Sequence, residues 1–198
     1  ASITNSTISG NSADNGGGIA ADGNVLVTLT NTTITGNVAR YGGGGLRLNS
    51  GAEARLLNNI IAGNTAGNEG SDILSYQSSG KLTSLGNNLV GNSAGASGLV
   101  ASDLKDVDAK LGPLSDNGGE TFSHAPQADS PALDAGSFSG APEADQRGVA
   151  RPSQGTAGGQ DQIDIGAIEV ANQAPVARND AYQVDRGSVL KSDNVSTA

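Results

Sequence analysis

One motif returns four times along the chain. Gly-Asn-x-Ala stands at Gly10–Ala13, Gly36–Ala39, Gly63–Ala66 and Gly91–Ala94, and the interval grows by a single position at each step. Two positions before each glycine sits an aliphatic residue: Ile8, Ile34, Ile61 and Leu89. Three positions further upstream of the first three lie Asn5, Asn31 and Asn58. A second register shares the period, because Gly16-Gly17-Gly18-Ile19, Gly43-Gly44-Gly45-Leu46 and Gly70-Ser71-Asp72-Ile73 place an aliphatic residue at 19, 46 and 73.

A period in this range defines a solenoid, in which each repeat buries its apolar face only against its neighbours. The dense leucine skeleton of leucine-rich repeats is missing. The segments are rich in Thr, Ile and Val with turn residues between them, which disfavours helical repeats. The sequence therefore predicts an all-β, right-handed parallel β-helix of about 27 residues per coil, with three short strands and three turns in each coil. Coils stack at the inter-strand spacing of about 4.8 Å, so residues one period apart lie on top of one another. Ile8, Ile34, Ile61 and Leu89 are read as one inward column. Asn11, Asn37, Asn64 and Asn92 are read as an asparagine ladder that satisfies buried amides along the axis.

The periodicity fades near residue 95, which divides the chain into coils at 1–95, an irregular closing segment at 96–171 and an extended tail at 172–198. Aromatic residues make up only 3% of the chain, there are 30 glycines, and cysteine is absent, so neither a disulfide framework nor a thiolate zinc site can form. The formal charge of −9 sits almost entirely in the second half. An acidic half speaks against nucleic acid and against docking on anionic membranes. No apolar run approaches the roughly 20 residues of a membrane span. The stretch also lacks an initiator Met and a leader, and is expected to be processed or excised from something longer.

The second half carries a series of motifs in order: Asp108-Ala109-Lys110-Leu111-Gly112-Pro113-Leu114, Asp116-Asn117-Gly118-Gly119, Thr121-Phe122-Ser123-His124-Ala125, Ser130-Pro131-Ala132-Leu133-Asp134-Ala135-Gly136, Asp145-Gln146-Arg147-Gly148, Arg151-Pro152 and Asp164-Ile165-Gly166-Ala167-Ile168-Glu169. Together they resemble the closing region of the choice-of-anchor Q β-helix proteins, a bacterial surface family akin to polymorphic outer-membrane proteins. The resemblance implies a β-helix end segment in a secreted or cell-surface protein and supplies no catalytic residues. Asn172–Tyr182 resembles the opening of bacterial cadherin-like or Ig-like tandem repeats. The stretch from Asn172 to Ala198 falls far below the roughly 100 residues of an Ig-type sandwich.

A polysaccharide lyase or hydrolase is the rival reading, since such enzymes need a cationic base or a carboxylate pair about 5–10 Å apart. Folded at the repeat period, Arg55 and Lys81 fall near one corner while Arg40 and Arg47 fall elsewhere, and Asp14, Asp22, Glu53, Glu69 and Asp72 share no clear column. His124 is the sole histidine and is expected to be packed and hydrogen-bonded. Calcium is the one cofactor the acids would suit, with Asp103, Asp106, Asp108, Asp161 and Asp164 as ligands; the competing reading has them cap backbone amides in turns. Arg147 and Arg151 are expected to pair with Asp164 and Glu169. The expected function is a non-catalytic structural or adhesive module whose open partner classes are glycans or a host surface, with polysaccharide binding or cleavage as the alternative. Copies are expected to associate head to tail into a fibre, by coil stacking from an uncapped first coil or by strand addition from the tail, where Tyr182 and Val184 alternate with polar residues.

Overall fold

The computed structural model describes residues 1–75, 80–152 and 162–171. The first coil contains β1 (Ser2–Thr4), β2 (Thr7–Ser9), β3 (Ser12–Ala13) and β4 (Ile19–Ala21); the second contains β5 (Leu26–Thr30), β6 (Thr33–Thr35), β7 (Val38–Ala39) and β8 (Leu46–Leu48). The third contains β9 (Ala52–Leu57), β10 (Ile60–Ala62), β11 (Thr65–Ala66) and β12 (Ile73–Ser75); the fourth contributes β13 (Gly80–Ser84) and β14 (Leu89–Val90), and β15 (Leu104–Lys105) adds a last rung. All strand pairs are parallel, and they build four stacked sheets: β1-β5-β9-β13, β2-β6-β10-β14-β15, β3-β7-β11 and β4-β8-β12. Each complete coil therefore has four strands rather than three, the extra one being the short strand that follows each Gly-Asn.

Side chains of successive coils fill one continuous interior. Leu29, Ile34, Leu46, Leu48, Leu56, Ile61, Ile73 and Val90 are buried in it, with Ile3, Ile8 and Ile19 of the first coil packed at its edge. The register runs Ile8, Ile34, Ile61, Val90, and Leu89 pairs instead with Ile60. The expected inward column is thus corrected at its fourth member. The step from Ile61 to Val90 is longer than the step from Ile34 to Ile61, so counting back from Gly91 lands one position short. A one-position slip in a strand turns a side chain to the opposite face.

The outward face of that sheet is apolar as well. Ile60, Ala62 and Leu89 form a second cluster with Ala109, Ala132 and Ile165 of the closing segment. A sheet buried on both faces loses the apolar–polar alternation that fixes register from sequence. The closing segment consequently lies as a strap down the sheet, back to the first coil: Gln146 Oε1 accepts from Thr7 Oγ1 at 2.7 Å and Asn5 Nδ2 donates to Ala144 O at 2.6 Å.

The far end of the stack is covered. Ser75 N donates to Gly95 O and Ser84 N to Gly98 O, while Ala96 and Leu99 pack against the end of the core. Coil pairing continues past the expected boundary at residue 95 as far as β15. The tail with Tyr182 and Val184 lies outside the described residues.

Candidate functional site

Among the described residues, buried polar side chains build two ladders and one clasp. In the first ladder each asparagine Oδ1 accepts two hydrogen bonds from the preceding rung. Asn11 N and Nδ2 donate to Asn37 Oδ1 at 3.0 and 2.9 Å, and Asn37 N and Nδ2 donate to Asn64 Oδ1 at 3.0 and 2.9 Å. The second amide hydrogen of each reaches back to a core carbonyl, Asn37 to Ile8 O and Asn64 to Ile34 O. Room for these carboxamides comes from the glycine triplets. A Cβ on Gly45 would stand 2.8 Å from Asn64 Nδ2 and 2.6 Å from Asp72 O.

The fourth rung is Asp72, not Asn92. Asp72 Oδ1 accepts from Asn64 N and Nδ2 at 2.9 and 2.8 Å, and its Oδ2 accepts from Asn92 N at 2.7 Å. Asn92 is exposed and its side chain accepts from Ala94 N in a local turn. The physical reason is donor count. A terminal asparagine would bring amide hydrogens that need a further rung, whereas a carboxylate brings acceptors alone. Burial pushes the Asp72 carboxyl up and the hydrogen bonds from Asn64 and Asn92 oppose that.

A second ladder lies outside the Gly-Asn motif. Thr32 N donates to Asn59 Oδ1 at 3.0 Å, Asn59 N and Nδ2 donate to Asn88 Oδ1 at 2.9 and 3.0 Å, and Asn88 N and Nδ2 donate to Asp103 Oδ1 at 2.9 and 3.0 Å. It too ends on an aspartate. Its signal is the pair of doublets Asn58-Asn59 and Asn87-Asn88, in which the two asparagines do different work. Asn5, Asn31, Asn58 and Asn87 hold φ between 46° and 55°, the left-handed region that asparagine tolerates. Their carboxamides point outward and bond the strap, as Asn58 Nδ2 does to Ser137 O and Asn87 Nδ2 to Ala135 O.

The clasp locks the end of the strap. Arg151 Nη1 donates to Glu169 Oε2 at 2.9 Å and to Asp164 O at 3.1 Å, and its Nη2 donates to Gly166 O at 2.8 Å. Its side chain is wholly buried. Arg147 pairs with Asp145 at 2.7 Å, rather than with either expected acid, and also donates to Glu169 O and Asn117 O. The Asp164 carboxylate accepts from Asp134 N at 2.8 Å and Val170 N at 2.6 Å.

These bonds bear on the calcium candidates. Asp103 takes Ser84 Oγ and Asn88 on one oxygen and Val100 N on the other. Asp106 takes the amide and hydroxyl of Ser93, and Asp108 caps Lys110 N. With Asp164 engaged as above, each of these four aspartates accepts hydrogen bonds from protein N–H or O–H groups, the role in turns that competes with calcium ligation. Asp161 lies outside the described residues, and among those described no three acids or histidines are placed to share a metal.

His124 Nδ1 donates to Gly112 O at 2.8 Å and its Nε2 accepts from Ser9 Oγ at 3.1 Å, a tautomer set by the carbonyl partner, and this tethers the strap to the first coil. Arg55 and Lys81 share the outer face of the first sheet, where Arg55 pairs in register with Thr83 and Lys81 with Glu53. A groove of about 540 Å³ opens beside the first ladder and is lined by Asp72, Asp106 and Asp108 with Asn64 and Asn92, and, among the described residues, by no lysine or arginine.

Burial raises the Asp164 carboxyl to about 6, with Glu169 and Asp134 adding to the rise against the opposing amide bonds. A carboxyl raised above its unfolded value takes up its proton on the folded side, so stability from this group is highest below about pH 4 and is lost as pH climbs through about 6. The expected loss across that window is about 3 kcal/mol at most. Asp164→Asn should flatten the pH dependence of urea unfolding between pH 4 and 7; an unchanged profile would remove Asp164 as its source.

Parallel coils, internal asparagine ladders and a side-packed closing strap define a β-solenoid. The chain belongs to the right-handed β-helix family, whose model, described as a right-handed β-helix region, matches residues 1–106. No curated protein and no solved structure matches the chain.

Proposed function

We propose that this chain is a non-catalytic structural or adhesive module of a secreted or cell-surface bacterial protein of the choice-of-anchor Q type, followed by the start of a cadherin-like or Ig-like repeat. The observation that supports it is the use of the buried acids. Asp72 and Asp103 terminate ladders, Asp145 holds Arg147, and Asp164 and Glu169 fasten the strap. Each is placed to hold coils or strap together. A lyase would need a free cation beside its acids to take the proton from a uronate; Lys105 lies within electrostatic reach of Asp106 and Lys110 of Asp108, but neither lines the groove and Lys110 is held by Asp129. Under this reading no cofactor is required. Head-to-tail association of copies belongs to the same proposal, and the cover that Ala96 and Leu99 give the core at the far end of the stack speaks against direct coil stacking there.

The test is turnover. The protein should release neither unsaturated products from acidic polysaccharides nor new reducing ends from neutral ones. Steady release of either, lost in an Asp72→Asn or Asp106→Asn variant that still folds, overturns the proposal.

A further inference from the structure

A smaller groove, of about 190 Å³, lies at the corner between the third and fourth strands of the coils. Its origin is a difference in coil length. Between β3 and β4 the first coil has residues 14–18, whereas the second and third coils have 40–45 and 67–72 at the same corner. The register shows the step, since Ala13 pairs with Ala39 and Ile19 with Leu46, which leaves the second coil one position longer between them. The shorter corner leaves a notch beside Tyr41. Asn15 comes from the first coil, Tyr41 and Arg47 from the second, and Asn68 and Glu69 from the third; Gly42 and Leu74 form the floor. Arg40 sits over the Tyr41 ring at 5.2 Å, and Tyr41 keeps 43% of its surface exposed. Two coil steps span about 10 Å, the length of one or two pyranose rings.

From this arrangement we infer a glycan-binding subsite that takes a single pyranose unit, its C–H face on the side of the Tyr41 ring that Arg40 does not cover and its hydroxyls on the side chains of Asn15, Asn68 and Arg47. The inference rests on the adhesive reading and names its partner class. Carboxamides both donate and accept, as a hydroxyl does, so two of them flanking an aromatic ring suit a polyol. An aromatic surface offers apolar area that a sugar's C–H face can cover while its hydroxyls stay bonded. A peptide strand is disfavoured by the backbone. Tyr41 N already donates to Asp14 O, Asn68 N to Tyr41 O and Gly43 N to Glu69 O, which removes the free edge that strand addition needs.

The experiment is saturation-transfer NMR and a glycan array on the intact chain, alongside Tyr41→Ala and Arg47→Ala, with melting curves for all three. The expected result is retention of a subset of oligosaccharides by the parent chain, weakened about tenfold or more by Tyr41→Ala with melting unchanged. Absence of any glycan at millimolar concentration overturns the subsite, as does binding that both variants retain, or capture of peptides alone. Each retained glycan is also assayed for cleavage: turnover would sink the non-catalytic reading while leaving the subsite standing. Absence of binding would remove the subsite and leave that reading untouched.

Discussion

Ile34→Asp should abolish the folded state, with no cooperative unfolding transition and loss of the parallel-sheet circular dichroism signal. Ile34 is fully buried in the second coil, stacked between Ile8 and Ile61. Losing an isoleucine's burial costs about 2–5 kcal/mol, and an unpaired carboxylate in the same place adds several more or forces its own protonation. The sum rivals the whole stability of a typical domain, about 5–15 kcal/mol. The damage spreads because every coil holds its neighbours. Ile34→Val, which keeps shape and apolarity, should cost only about 1 kcal/mol. A cooperative transition retained by Ile34→Asp would show that this column is not the core.

The second large effect is expected at Arg151. Removing its guanidinium in Arg151→Ala strips donors from the carbonyls of Asp164 and Gly166 and the cation from Glu169, which is 2% exposed. Breaking one partner of such a buried pair costs about 3–5 kcal/mol. The loss should be local first. Amide exchange should accelerate at Asp134, Ile165 and Val170 in the strap while the amides of Ile34 and Ile61 stay protected. Arg151→Lys should restore the charge but not the three-way fork, and so recover only part of the loss. Equal protection in Arg151→Ala and the parent chain would mean the strap is held by other contacts.

How much of this was legible in the sequence depended on one physical condition, a period that stays even. Through the first three coils, where the repeat length barely changes, Ile8, Ile34 and Ile61 stack as read, and Asn11, Asn37 and Asn64 hydrogen-bond as a ladder. Where the fourth coil lengthens, the same motif misplaces Leu89 and Asn92, because matching Gly91-Asn92 to its predecessors shifts the register. The stretch Gly70-Ser71-Asp72 held the correction in plain view: an acid in place of a small residue marks the rung beyond which no asparagine follows. The second ladder was masked by doublets, in which Asn58 turns outward in a left-handed conformation and Asn59 turns inward. The strap has no period at all. Its course follows from the apolar outer residues Ile60 and Leu89, whose direction no pattern of alternation revealed, and from long-range partners such as His124 with Ser9. Arg151 found Glu169 as read, whereas Arg147 took nearby Asp145, since a neighbouring carboxylate in a turn is reached without reorganising the chain.

The central claim is that residues one coil apart stack in a defined parallel register, and a cysteine-free chain allows a direct measurement. Thr28 and Arg55 are register partners on the outer face of the first sheet, at a separation that suits a disulfide's Cα distance of about 4.4–6.8 Å. Mass spectrometry of the oxidised Thr28→Cys, Arg55→Cys double variant should find a near-complete link between the two positions. The Thr28→Cys, Ala54→Cys variant, whose second residue points into the core, should remain unlinked. The reverse pattern, or no link in either, would contradict the stacked coils on which the rest depends.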